Sequence, residues 1–151
     1  LVDLPPGTGD IQLTLSQKVA LSGAVIVTTP QDIALLDAQK GIEMFLKVDV
    51  PILGLVENMS VHVCAECGHR EHIFGSDGGQ KLSSDYNIRT LASLPLDRSI
   101  REKSDSGRPI VVSLPDSEAA RCFDVTAKAI VKTLQLKEDR ADFPEIRILE
   151  D

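Results

Sequence analysis

Two short apolar runs constrain this chain more than any other feature. Ala24-Val25-Ile26-Val27-Thr28, preceded by Gly23, and Pro51-Ile52-Leu53-Gly54-Leu55-Val56 lack the polar alternation of a half-exposed strand. Each therefore reads as a strand buried on both faces. Thr90 to Leu94 is a further short strand, stopped by Pro95, and Leu1-Val2 reads as the end of another. Helical patterns separate them. Ile11 to Leu21 is a short, partly amphipathic helix. Asp32 offers an N-cap to a helix reaching about Leu46, with Ile33, Leu36, Ile42 and Phe45 on one face. Shorter helices are expected at Asp77 to Tyr86 and Asp97 to Lys103. The longest runs from Asp116 to Leu136, with Ala119, Phe123, Ala127, Ile130 and Leu134 on one face. Val111-Val112 is too short to assign. Strands alternating with helices build βαβ units, so the expected fold class is α/β: a mostly parallel sheet with helices on both faces.

The 151 residues suit one core, and 42% hydrophobic with 26% charged residues is an ordinary globular balance. A net charge of −7 argues against a nucleic-acid partner. No apolar run approaches the ~20 residues that span a bilayer and no signal peptide is visible, so the expected location is cytoplasmic, without a membrane partner. A buried parallel strand rarely opens a domain, because its faces and edges need neighbours. The opening at Leu1 is thus expected to mark the carboxyl-terminal part of a longer protein. Residues 137–151 read as a solvated acidic tail.

Two stretches carry chemistry. In Asp3-Leu4-Pro5-Pro6-Gly7-Thr8-Gly9-Asp10 a carboxylate at a strand tip precedes a turn that continues neither strand nor helix. Open α/β sheets hold ligands at such ends. Gly7 and Gly9 let the backbone approach a phosphate and move when it leaves. The second stretch lies in Asn58 to Gly79, the only long segment with little periodicity. There Cys64-Ala65-Glu66-Cys67 is followed by Gly68, His69 and His72 and preceded by His62. Two thiolates at this spacing can turn back on one metal, with Gly68 permitting the tight knuckle. Half a zinc site completed by His69 or His72, or a redox dithiol, fits the same spacing. Each histidine alone reads as a loop residue, and Cys122 as a small core residue in the last helix.

Asp3 to Asp10 resembles the switch II region of the MinD/Mrp (deviant Walker A) branch of P-loop ATPases. Thr28-Thr29-Pro30-Gln31-Asp32-Ile33-Ala34-Leu35-Leu36-Asp37 and Gly54-Leu55-Val56-Glu57-Asn58-Met59-Ser60 are similar to the Mrp/ApbC-type iron–sulfur cluster carriers in particular. Ile73-Phe74-Gly75, Leu94-Pro95-Leu96-Asp97 and Gly107-Arg108-Pro109 continue the likeness in order, over about residues 1–136. The resemblance implies the distal part of an ATPase domain of that type, whose glycine-rich, lysine-bearing phosphate loop lies upstream of the segment matching Asp3. No Gly-Lys-Ser or Gly-Lys-Thr occurs in this sequence, so the chain by itself is expected to be inactive as an ATP hydrolase. By the same resemblance Asp3, the one candidate catalytic residue, supports Mg²⁺ or its bound water. Gly7 presents backbone to the γ-phosphate. Asn58 reads adenine with its amide, and Pro95 and Asp97 line the base pocket, Asp97 being equally a helix N-cap. Cys64 and Cys67 would meet their counterparts across a homodimer to hold a bridging [4Fe–4S] cluster, delivered to apo-proteins in an ATP-dependent way. Two other functions fit the residues: a MinD-like positioning or scaffold ATPase without metal, and a zinc-stabilised binding domain.

Overall fold

The computed structural model describes residues 1–138 except Pro6 and Ala65. The acidic tail expected at 137–151 lies outside the described residues from Asp139 onward, and Lys137 and Glu138 belong to the last helix. Element order is α1 (Asp10–Lys18), β1 (Ala24–Thr28), α2 (Asp32–Lys47), β2 (Ile52–Glu57), β3 (His62–Val63), β4 (Arg70–Glu71), α3 (Gly78–Asp85), β5 (Thr90–Ser93), α4 (Arg98–Asp105), α5 (Ile110–Ser113) and α6 (Glu118–Glu138).

β1, β2 and β5 form a parallel sheet in that spatial order, with Ile26 opposite Leu55, Val27 opposite Val56 and Glu57 opposite Ser93. The central strand β2 is buried from Leu53 to Val56. Successive side chains of a strand point to opposite faces, and β2 divides Leu55 and Val56 accordingly. Leu55, with no exposed surface, joins Ile26, Ala38, Ile42, Phe45 and Leu82 under α2 and α3. Val56 joins Leu91 and Leu94 under α6, against Cys122, Phe123 and Ile130. A small cluster of Ile110, Ala119 and Ala120 ties α4 and α5 to α6. The parallel sheet between two helical layers is thus present. A Cβ built on Gly54 would lie 2.8 Å from the carbonyl oxygen of Arg89, so only glycine lets β2 and β5 approach here.

Several local expectations are corrected. Leu1 and Val2 form no strand and lie exposed, because among the described residues no strand pairs with the outer edge of β1. β1 is therefore not buried on both faces as expected: Ile26 and Thr28 are buried, while Val27 on the opposite face is 62% exposed. In α1 the buried residues are Gln12 and Ser16, while Ile11 and Val19 face outward. The reason is polar: the Gln12 amide donates to the Pro5 carbonyl at 2.9 Å and Ser16 Oγ to the Gln12 carbonyl at 2.7 Å. In α2 the N-cap is Gln31, and Asp32 is instead the acidic residue of the first turn, where the helix dipole favours it. Ile33 and Leu36 are exposed, and Ala38, Ile42, Met44 and Phe45 form the buried face. In α6 Ala127 is exposed, whereas Ala120 and Thr126 are buried. Val111 and Val112 lie in the one-turn helix α5. The stretch 58–79 is not wholly irregular: β3 and β4 pair antiparallel within it, His62 opposite Glu71 and Val63 opposite Arg70.

Candidate functional site

Cys64 and Cys67 sit in the turn of the β3–β4 hairpin. The Cys64 N–H donates to the His69 carbonyl at 2.9 Å, and the Gly68 N–H returns to the Cys64 carbonyl at 2.9 Å. Gly68 takes φ +70, a left-handed geometry that side chains disfavour, with open space where a Cβ would stand. The turn aims backbone N–H groups at one sulfur. The N–H of Cys67 first, then that of Glu66, then the Cys67 thiol, pull the Cys64 thiol below its ordinary pKa against a smaller effect of burial. N–H donors around sulfur favour the thiolate, the form that binds metal. Cys64 is half-buried, Cys67 exposed, and both are free thiols. Among the described residues no group of three His, Cys, Asp or Glu is placed to hold a metal. A mononuclear site completed by His69 or His72 is therefore not assembled. His72 instead directs Nδ1 at the Ser60 carbonyl, 2.8 Å away, and His62 directs Nδ1 at the Leu96 carbonyl, 3.2 Å away. Cys122 packs half-buried among the α6-side core, as a small core residue would.

The carboxyl ends of β2 and β5 position Asn58, Pro95 and Asp97, all half-buried. The Asn58 N–H donates to the Thr28 carbonyl at 2.7 Å, and its Oδ1 accepts from the Met59 N–H at 2.9 Å. Met59, the next residue, takes a left-handed φ of +56. Asp97 is the N-cap of α4, its Oδ1 accepting from the Ser99 N–H and hydroxyl, each at 2.7 Å. The loops after the two strands are joined. The Leu94 carbonyl accepts from both the N–H and the hydroxyl of Ser60 at 2.9 Å, and the Leu96 N–H donates to the Val61 carbonyl at 2.9 Å. Asn58, Pro95 and Asp97 thus belong to one hydrogen-bonded edge.

Asp3 is exposed and stands on no strand, and Gly7 is exposed with φ +97. Their stretch is held by the Gln12 bond to Pro5 and by Leu4, which packs on the α2-side core. Among the described residues its hydrogen bonds run to α1, not to the loops carrying Asn58 and Asp97.

Sequence reading overlooked a cavity of about 590 Å³ between the hairpin, the ends of β2 and β5 and the start of α3, whose lining includes Glu57, Ser60, Arg70, His72, Asp77 and Ser93. Glu57, one of its lining residues, accepts from the Gly79 N–H at 2.9 Å, a favourable carboxylate at a helix N-terminus. The available signal was Gly78-Gly79 at the head of a helix: a Cβ on Gly79 would meet that carboxylate.

A family model described as ParA: NUBPL iron-transfer P-loop NTPase matches residues 1–131. The chain belongs to this family. Among NUBPL-family relatives, the iron–sulfur cluster carrier protein of Pseudomonas fragi is 58% identical over 127 residues, 84% of this chain and 44% of that protein. The iron–sulfur cluster transfer protein NUBPL of Mus musculus is 55% identical over 135 residues, 89% of this chain and 42% of that protein. Of solved structures, a nucleotide-binding protein from Archaeoglobus fulgidus in complex with ADP is 37% identical with TM-score 0.64, over 76% of this chain and 46% of its own. The cell division ATPase MinD of Pyrococcus furiosus is 28% identical with TM-score 0.57, over 74% of this chain and 43% of its own. These likenesses agree with the parallel sheet and its helical layers. The chain spans less than half the length of these relatives.

Proposed function

We propose that residues 1–136 are the distal part of an ATP-dependent iron–sulfur cluster carrier, and that Cys64 and Cys67 are its cargo ligands. The observation that carries this reading is the two-thiol knuckle, Cys64 half-buried and Cys67 exposed, with N–H groups directed at the Cys64 sulfur. Two thiolates are half of a four-thiolate set. A second copy of the chain supplies the other half, giving a shared [4Fe–4S] cargo at an isologous interface. Such a site is shallow, which suits a cluster that must pass to an apo-protein.

On the nucleotide side, Asp3 supports Mg²⁺ through its exposed carboxylate and Gly7 brings backbone to the γ-phosphate, while Asn58, Pro95 and Asp97 border the adenine. The relatives' names and the ADP complex of the Archaeoglobus protein support the cluster and nucleotide roles. Mg²⁺ supplies charge neutralisation of the phosphates when bound. This chain's own residues place and orient them. Asn58 has one amide oxygen lone pair engaged by Met59, leaving the second and the amide N–H groups for a purine edge. Hydrolysis needs the lysine-bearing phosphate loop, which no Gly-Lys-Ser or Gly-Lys-Thr in this sequence provides.

Anaerobic reconstitution of a protein of the relatives' full length tests the reading. Iron and sulfide in equal amounts, four of each per pair of chains, are expected in the wild type and lost in Cys64→Ala and Cys67→Ala. Stoichiometric zinc in place of iron would mark a zinc-stabilised binding domain, and no metal a MinD-like scaffold. Transfer to an apo-acceptor that survives loss of both cysteines would end the carrier reading.

A further inference from the structure

The hairpin that carries Cys64 and Cys67 has only two residue pairs in its ladder. An isolated two-stranded hairpin is marginal in water, so contacts outside it must fix its position. Both strands are anchored at the end away from the cysteines. His62, first residue of β3, meets the Leu96 carbonyl through Nδ1 and forms a parallel bridge with Leu96. His72, directly after β4, meets the Ser60 carbonyl through Nδ1. A carbonyl only accepts, so both rings carry their proton on Nδ1. Each bond therefore senses the position of a particular stretch of backbone. Leu96 lies between Pro95 and Asp97, and Ser60 lies two residues past Asn58. Those two loops are themselves locked by the Ser60–Leu94 and Leu96–Val61 bonds. Cys64 is two residues beyond His62, roughly 7 Å along an extended strand.

We propose that His62 and His72 are positioning residues: a two-point strap that carries movement of the loops after β2 and β5 to the Cys64–Cys67 turn. The strap rests on the assignment of Asn58, Pro95 and Asp97 to the nucleotide made above. A ligand that draws the joined loops toward itself pulls on the base of the hairpin through the His62–Leu96 and His72–Ser60 bonds. That pull tilts the hairpin as a unit about its base and changes the exposure of the sulfurs at its turn. Nucleotide state and thiol presentation are thereby coupled without any residue touching both ligands.

The test uses a protein of the relatives' full length, metal-free and reduced, so that it does not depend on cluster loading. Alkylation of Cys64 and Cys67 by iodoacetamide is followed by peptide mass spectrometry with and without Mg²⁺-ATP, Cys122 serving as the internal reference. In the wild type, nucleotide is expected to change the rate on the order of fivefold, the low end of site-to-site coupling. The double substitution His62→Ala with His72→Ala is expected to bring the ratio close to unity. His62→Asn with His72→Asn, whose amide nitrogen stands where Nδ1 does, is expected to keep most of it, and its retention separates coupling from mere folding. A ratio unchanged in the alanine variant, lost equally in the asparagine variant, or absent from the wild type overturns the strap. Failure to take up iron and sulfide while the ratio behaves as expected sinks the carrier reading and leaves the strap standing.

Discussion

The sulfur of Cys64 is set electrostatically by its own turn rather than by any distant charge. Its largest partners are the N–H groups of Cys67 and Glu66, with the Cys67 thiol third. A thiol with a depressed pKa holds more thiolate at a given pH, so Cys64 is expected to stay reactive to lower pH than a cysteine in an unstructured peptide. Cys67→Ala removes only the thiol donor and should raise the Cys64 midpoint slightly. Gly68→Val opposes φ +70 and should raise it further by opening the turn. The pH dependence of Cys64 alkylation measures both, and a wild-type midpoint at or above the peptide's would refute the N–H arrangement. In the same way, metal loading near neutral pH should release fewer protons from Cys64 than from an ordinary thiol.

At the scale of elements, Asp97 carries two roles that can be pulled apart. As the N-cap of α4 it accepts from Ser99, and Asp97→Ala is expected to cost about 1 kcal/mol, read as a melting-temperature drop of about 3 °C. Asp97→Ser keeps a capping oxygen, so it should preserve the melting temperature while altering ATP affinity in the full-length protein if the residue borders the base. Unchanged affinity would leave Asp97 a cap alone. The same scale explains what the sequence disclosed. β1 and β2 were legible because a short apolar run without polar alternation has few other uses, although only β2 is buried on both faces and β1 buries Ile26 and Thr28 alone. α1 and the head of α2 were misjudged because burial there is decided by partners. Gln12 turns inward for the Pro5 carbonyl, while Ile33 and Leu36 have nothing above them among the described residues. The β3–β4 hairpin escaped notice because two-residue strands leave no period to read. The knuckle itself was legible from Cys-x-x-Cys-Gly, since its geometry is local. The strap was not, since His62 and His72 find their carbonyls 34 and 12 residues away.

For the whole molecule, the telling surface is the outer edge of β1, where Val27 stands 62% exposed. An open, apolar strand edge recruits other chains. Val27→Lys is expected to reduce concentration-dependent association of the 151-residue chain and to lower the melting temperature of a full-length protein in which a strand covers that edge. Light scattering and thermal melts check the pair, and a full-length protein indifferent to the lysine would mean the edge stays open there too. The 151-residue chain alone, lacking a lysine-bearing phosphate loop, should show no rise in melting temperature with millimolar ATP, because a ligand stabilises only in proportion to its occupancy.

The brevity of the β3–β4 ladder has a consequence of its own. Because the cysteine turn hangs from two paired residues per strand, tied at their base to the loops after β2 and β5 and outside the main sheet, opening the turn is expected to disturb a handful of local bonds and to leave the cores beneath α2 and α6 intact. Cargo can be surrendered by loosening a fingertip while the palm stays closed. The barrier to hand-over is thereby separated from the stability of the body that makes the delivery.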